Sequence, residues 1–243
     1  MTRIELTNSV QEPHHTQVLK LNKSVSQAEF QKVMSLVIEA LPTEGEGAVF
    51  GNFQVSTAAG GPSVINPGLK TSVVLDLAEG QYVLACFLPS PDGVPHLAKG
   101  MVSALEVTAA PEDAVDVPEQ VASVTLKVFS FTGVPSKLKA GENTIRVVHA
   151  GEEPHEMAVV KLNGITVEQV GEMLSGPPPA GAPAGPPPFE FVGGYQAIMP
   201  GDSGWAVLDL EAGEYGLICL IPSPANQFKP HFALGMLASI TVE

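Results

Sequence analysis

The sequence of this chain is written twice. INPGLKTSVVLDLAEGQYVLACFLPSP (Ile65 to Pro91) lies over IMPGDSGWAVLDLEAGEYGLICLIPSP (Ile198 to Pro224) without a gap. After a two-residue difference, VPHLAKGMVSALEV lies over KPHFALGMLASITV. Upstream, QEPHHTQVLKLN (Gln11 to Asn22) lies over EEPHEMAVVKLN (Glu152 to Asn163). The repeating unit is therefore a whole domain, and repeats of this kind decide the fold before any other signal. We expect one domain over 1–110, a linker over 111–120 and a second domain over 121–243. The boundary falls in TAAPEDAVDVPEQ, an acidic, Pro-containing stretch with linker composition.

Within each copy the pattern is mostly β. VVLDL and AVLDL are short apolar strands, EGQYVLACFL and AGEYGLICLI enter a second strand through a Gly turn, and MVSALEV and MLASITV close the copy. Sparse charge (16%) beside 24 Gly and 22 Pro favours short strands and many turns. One helix per copy is expected. SQAEFQKVMSLVIEAL carries apolar residues at Phe30, Val33, Met34, Val37, Ile38 and Leu41, with Ser24 or Ser26 as cap, and ITVEQVGEML is its shorter counterpart. The segment Ser175 to Pro188 (SGPPPAGAPAGPPP) reads as a polyproline-like spacer. The fold class is thus all-β: two tandem sandwiches, each with one inserted helix.

The copies begin differently. Ahead of its first matched histidine the second has VTLKVFSFTGVPSKLKAGENTIRVVHAG, a strand, a turn and another strand, whereas MTRIELTN of the first lies directly over ENTIRVVH. A missing leading strand would leave a sheet edge and part of a core open. The expectation is that Met1 is an internal methionine, with the missing strand and an export signal upstream. As given, the N-terminus has no basic and apolar leader.

Each copy offers four candidate metal ligands: His14, Cys86, His96 and Met101, then His155, Cys219, His231 and Met236. A thiolate and a thioether are soft donors that stabilise Cu(I), while imidazole serves both copper oxidation states. Cysteine ends a strand, histidine follows on a loop and methionine opens the last strand, so three donors converge at one end of a sandwich. The same residues admit a structural reading. A cysteine in an apolar strand is often a small buried hydrophobe, and methionines fill cores. Recurrence of all four types in order favours the metal. Zinc suits the thiolate and imidazoles, but the methionine favours copper. Matching repeat positions make a Cys86–Cys219 disulfide unnatural. His149, at the position of Asn8, reads as a strand or loop histidine.

At these residues the chain resembles the cupredoxins. HAGEEPHEMAVV is similar to their Asn-x-Gly-x-Pro-His-Asn signature, and Pro-His-x3-Gly-Met is similar to the loop of copper-containing nitrite reductases. The spacings here are Cys-x9-His-x4-Met and Cys-x11-His-x4-Met. The resemblance implies Greek-key sandwiches, one or two type 1 copper ions on the eight residues above, and one-electron transfer with a redox partner protein in an extracytoplasmic location. It departs in three ways: His15 and Glu156 stand where the family has a loop-tying Asn, the Cys-to-His loop is longer, and the two loops differ in length.

Several functions are disfavoured. A formal charge of −14 argues against nucleic acid, although it could steer a cationic partner. No apolar run approaches the roughly 20 residues of a membrane span. The cysteines' neighbours are Ala85, Phe87, Ile218 and Leu220, and no His-x-His pair occurs. Wiring to a second copper centre is therefore missing, and the chain is expected not to be an enzyme. A metal-free binding module and a copper carrier are the competing readings.

Overall fold

The computed structural model describes residues 1–44, 55–109, 116–176 and 185–243, without the side chains of Val37, Ile38 and 40–44. The middle of the linker, the middle of the Pro-rich segment and three of the helix-stripe side chains (Val37, Ile38, Leu41) thus lie outside the described residues.

The first half contains β1 (Thr2–Thr7), β2 (Gln17–Leu21), α1 (Gln27–Glu44), β3 (Ser56–Ala58), β4 (Lys70–Leu75), β5 (Gly80–Ala85) and β6 (Val102–Val107). The second opens with β7 (Ala122–Lys127), β8 (Ser130–Thr132), β9 (Lys137–Leu138) and β10 (Gly141–His149). It continues with β11 (His155–Leu162), α2 (Val167–Leu174), β12 (Phe189–Ile198), β13 (Ser203–Leu210) and β14 (Gly213–Ile218). A small hairpin of β15 (Pro222–Ser223) and β16 (Lys229–Pro230) precedes β17 (Leu237–Val242). The expected all-β class with one helix per copy is what the structure shows. Where a single turn was expected before ENTIRVVH, the chain forms a hairpin that turns at Val128 and Phe129, the latter with a left-handed φ of 49°, and a further two-residue strand.

The halves are fused edge to edge through both layers. One sheet has the order β1-β4-β13-β10-β7-β8, so that β4 of the first half pairs antiparallel with β13 of the second. The other layer is β6-β5-β2-β3 on one side and β12-β11-β14-β17-β9 on the other. Residues 59–65, which continue β3, bridge to β12 at Ala59↔Ile198, Pro62↔Tyr195 and Ile65↔Val192.

The registers obey the repeat. Aligning Ile65 with Ile198 makes Val73 the counterpart of Ala206, and these two face each other; Val74↔Trp205 and Ser72↔Val207 exchange about them. Pro62 and Tyr195 are likewise counterparts that face each other, with Ala59↔Ile198 and Ile65↔Val192 exchanging on either side. A local two-fold axis therefore passes through both layers. The principal core includes Val18, Val73 and Tyr82 from one half and Met157, Leu208 and Leu217 from the other.

The double glycine at each crossing is a steric requirement. Gly61 has φ +132° and a Cβ there would lie 1.9 Å from the Thr16 carbonyl oxygen. Its counterpart Gly194 has φ +120°, with the Met157 carbonyl oxygen 2.0 Å from the same position. Neither close approach nor conformation suits an L side chain.

Each helix begins at a reciprocal cap. The Ser26 amide donates to Glu29 Oε2 (2.7 Å) while the Glu29 amide donates to Ser26 Oγ (3.2 Å), and Thr166 and Gln169 do the same for α2. Phe30 and Met34 of α1 pack with Leu97, behind the loop that carries His96. Burying a Phe or Met side chain contributes about 1.5–3 kcal/mol, so the helix braces that loop. No helix among the described residues is long and apolar enough to cross a membrane.

Shared sheets predict a single cooperative unfolding transition for the two halves, seen alike by Trp205 fluorescence and far-UV circular dichroism in urea. Gly61→Ala should lower the unfolding free energy by about 1–3 kcal/mol or more, whereas alanine at exposed Gly68, where a Cβ meets nothing within 4 Å, carries only the φ penalty.

Candidate metal centres

Each centre is assembled at the same end of its half by one short loop and one distant histidine. Cys86 follows β5, and the chain returns through His96, which opens a single 3₁₀ turn (His96–Lys99) closed by Gly100 at φ +97°. The turn brings Met101 back beside the cysteine: Cys86 N donates to Met101 O (3.2 Å), Leu97 N to Cys86 O (2.9 Å) and Met101 N to His96 O (3.0 Å). Cys219, Phe232, His231 and Met236 repeat the three bonds at 3.4, 2.9 and 3.0 Å. The extra length between cysteine and histidine is braced. Pro89 bridges Pro95 in the first half, and β15–β16 takes up the longer loop of the second.

The distant histidine arrives beside that loop. His14 is held by a two-way backbone bridge to Ile65, and His155 begins β11. In the first centre Cys86 Sγ lies 3.4 Å from His96 Nδ1 and 3.8 Å from His14 Nδ1. In the second, Cys219 Sγ lies 3.4 Å from His231 Nδ1, which is 2.8 Å from His155 Nδ1. In each group one donor atom per residue falls within 4.8 Å of the others. Met101 lines the cavity that holds His14 and His96, and Met236 is fully buried in the core. Both cysteines are free and buried, so they form no disulfide.

Two carboxylates of the Glu-Pro-His triplets orient the rings. Glu12 Oε2 lies 2.8 Å from His96 Nε2, and Glu153 Oε2 lies 3.1 Å from His231 Nε2. A carboxylate accepts, so each ring carries its proton on Nε2 and presents a bare Nδ1 lone pair toward the sulfur. The bond to His96 holds the Glu12 carboxyl below the usual range. Sequence reasoning passed over these glutamates, although Glu-Pro-His recurs in both copies at the same offset.

The residues standing in place of the family's Asn tie the loops by other chemistry. The Phe87 amide donates to His15 Nε2 (2.8 Å), and the Leu220 amide donates to Glu156 Oε1 (3.0 Å). Burial drives the His15 pKa down to about 3 and the Glu156 carboxyl up to about 7. Both side chains are acceptors at matched positions, each one residue past the histidine and bonded one residue past the cysteine.

Burial raises both thiols above their ordinary range. Burial, with His231 and His149 nearby, takes His155 down to about 3. His155 Nε2 has no hydrogen-bond partner although it is buried. His149 stacks on His155 at 4.8 Å and bonds through Nε2 to the Glu153 carbonyl, so it supports the centre from the strand and stands outside the converging group. Asp92 serves its turn, accepting from the Val94 amide and from Lys99 Nζ.

The centres differ in cover. His14 is partly exposed beside a cavity of ≈ 250 Å³. In the second half Phe129, from the β7–β8 turn, packs its ring 5.1 Å from His231, and the adjoining cavity is ≈ 30 Å³.

Glu156→Ala strands the Leu220 amide and should cost about 1–3 kcal/mol. Glu156→Gln keeps an acceptor oxygen and should stay near wild type in urea unfolding. Equal loss in both variants would show that the loop tie is not what the residue contributes.

No protein-family model matches the sequence, and no curated protein matches it. Among solved structures the chain is similar to Na-dithionite reduced auracyanin from the photosynthetic bacterium Roseiflexus castenholzii, at 20% identity over 50% of this chain and 94% of that one, with a TM-score of 0.34. It is similar to auracyanin A, a "blue" copper protein from Chloroflexus aurantiacus, at 20% identity over 50% and 96%, with a TM-score of 0.34. A multicopper oxidase aligns over 99% of this chain and 74% of its own length at 15% identity, with a TM-score of 0.26. Similarity this low says nothing about chemistry, which rests on the side chains described above. The solved structures that this β-sandwich chain resembles include auracyanins, an amicyanin and a multicopper oxidase.

Proposed function

We propose that the chain is a copper-binding electron-transfer protein with two type 1-like centres, one in each of the domains 1–110 and 121–243. His14, Cys86, His96 and Met101 hold one ion, and His155, Cys219, His231 and Met236 hold the other. The observation that carries this reading is the convergence, twice, of one sulfur and two imidazole nitrogens, with the cysteine and the loop histidine buried in both halves. Donors bound at about 2.0 Å (N) and 2.3 Å (S) from one ion stand roughly 3–4 Å apart, and the sulfur–nitrogen separations here are 3.4 and 3.8 Å in the first group and 3.4 Å in the second. Two Nδ1 atoms 2.8 Å apart, one of them stripped of its proton by the Glu153 bond, also suit a shared cation.

Copper, when bound, supplies one-electron exchange between Cu(I) and Cu(II). The chain supplies the rest. Glu12 and Glu153 fix ring orientation. Paired amides, from His15 and Leu88 at Cys86 and from Glu156 and Ile221 at Cys219, donate toward each sulfur and favour its thiolate. The glycine-closed 3₁₀ turn holds histidine, methionine and cysteine in one rigid loop, which keeps reorganisation small.

Electron transfer without turnover is favoured by what flanks the cysteines. Ala85, Phe87, Ile218 and Leu220 offer no ligand for a second metal. A redox partner protein in an extracytoplasmic compartment completes the reading, and the charge of −14 favours a partner with a basic face.

Copper loading followed by elemental analysis should give two ions per chain, one in Cys86→Ser or Cys219→Ser and none in the double variant. The loaded protein should show an intense thiolate-to-Cu(II) charge-transfer band that each single variant halves. A colourless protein that binds Cu(I) alone would favour a carrier, and one that binds no copper would leave a metal-free sandwich module.

A further inference from the structure

The two-fold axis relates the strands at the crossing but not all of their side chains. Gln17 and Gln196 stand where the opposite half has Ala158 and Ser63. Both glutamines are buried, at 5% and 3% exposure, and both reach the opposite half. Gln17 Nε2 donates to the Ala197 carbonyl (3.0 Å) and to the carbonyls of Val18 and Gly60. Gln196 is anchored by its backbone amide, which donates to Gly61 O (2.8 Å). Its side chain reaches His15: Nε2 lies 2.9 Å from His15 Nδ1 and 3.5 Å from Ser63 Oγ.

The bond to His15 has a fixed direction. His15 Nε2 receives the Phe87 amide (2.8 Å), and a backbone N–H can only donate. Nε2 is therefore bare, and a neutral ring with a bare Nε2 carries its proton on Nδ1. A doubly protonated ring would set one N–H against another at Phe87, so the same contact excludes it. Nor can two donors face each other across the 2.9 Å to Gln196. The atom that Gln196 presents to His15 is its carbonyl oxygen, reached by a half-turn of the amide end. Ser63 Oγ is a hydroxyl and can donate to that same oxygen.

We propose that Gln196 is a positioning residue of the first centre, supplied by the second half. Its carbonyl oxygen accepts the His15 Nδ1 proton, locks the tautomer that receives the Phe87 amide, and so ties the Cys86–Phe87 peptide to the other half of the molecule. His15 also meets the cysteine through its backbone, since its amide donates toward Cys86 Sγ. Contacts of this outer kind orient the residues that hold a metal and alter its affinity. At the second centre the tie is Glu156, whose carboxyl has no ring tautomer to fix, and Ser63 stands at the position of Gln196. The centre beside the larger cavity is thus the one braced from the neighbouring half. What the brace serves rests on the copper reading above; where the His15 proton sits does not.

The test begins on the metal-free full chain, isotope-labelled at its histidine nitrogens. NMR should show His15 protonated on Nδ1 and bare at Nε2, a measurement that needs no variant. Gln196→Met keeps length and bulk without a comparable acceptor and should abolish the single tautomer, whereas Gln196→Glu keeps an acceptor and should preserve it. Copper loading supplies the second readout. In the Cys219→Ser background, where only the first centre is complete, Gln196→Met should weaken copper binding about tenfold or more and shift the charge-transfer band. Gln196→Glu should recover both. In the Cys86→Ser background Gln196→Met should change neither, which a general loss of stability would not spare. A proton on His15 Nε2 in the unaltered chain, a single tautomer that survives Gln196→Met, or equal effects in the two backgrounds overturns the proposal. If neither background binds copper, the copper reading fails, while the NMR result still supports or overturns the role of Gln196.

Discussion

Everything in this molecule hangs on an antiparallel edge contact made twice. Val73 meets Ala206 in one layer and Pro62 meets Tyr195 in the other, so two sandwiches become one pair of continuous sheets. A linker alone would have left the halves free to rotate. Instead each centre hangs from sheets whose far ends belong to the other half, and the core between the layers runs through both. Backbone pairing holds the halves together: β4 and β13 pair over four positions, and residues 59–65 bridge β12 at three. The cost is borne by glycine: a side chain at Gly61 or Gly194 would collide with the neighbouring strand.

On this frame the two centres are built from the same parts and tuned by different surroundings. A carboxylate fixes each loop histidine, and an acceptor one residue past the distant histidine ties the cysteine strand. The acceptor is His15 in one half and Glu156 in the other, which shows that the tie constrains hydrogen-bond polarity more than residue identity. His149 and Phe129 enclose the second centre, while Asn8 stands at the first of these positions in the other half. The second centre is the more enclosed one, and burial raises its thiol as it raises that of the first. Lower water content around a thiolate and imidazoles raises the weight of every fixed dipole there, so the two centres should not be electronically equivalent.

Much of this was legible in the sequence because duplication makes a chain its own comparison. The recurrence of Cys…Pro-His…Gly-Met located both loops, and the 3.6-residue stripe located α1, including the buried Phe30 and Met34. Fusion of the halves was not legible. Period-2 alternation says which face a residue takes but not which strand lies beside it, and TAAGGPSVINPG over EFVGGYQAIMPG records the crossing only as paired glycines. Glu12 and Glu153 were visible in both copies, yet their role depends on where a loop returns from eighty residues away. The early turn at Val128 and Phe129 was missed for a simpler reason: VFSF carries no Gly, Pro, Asn or Asp and reads as continuous strand, although Phe129 takes a left-handed φ of 49°.

The central claim is that one sulfur and two imidazole nitrogens in each half share a single ion. Copper K-edge X-ray absorption on the loaded chain tests it most directly, since it counts the neighbours of the metal. The account predicts one short sulfur and two nitrogen neighbours per copper, averaged over both centres. A first shell of nitrogen and oxygen alone, without sulfur, would contradict it.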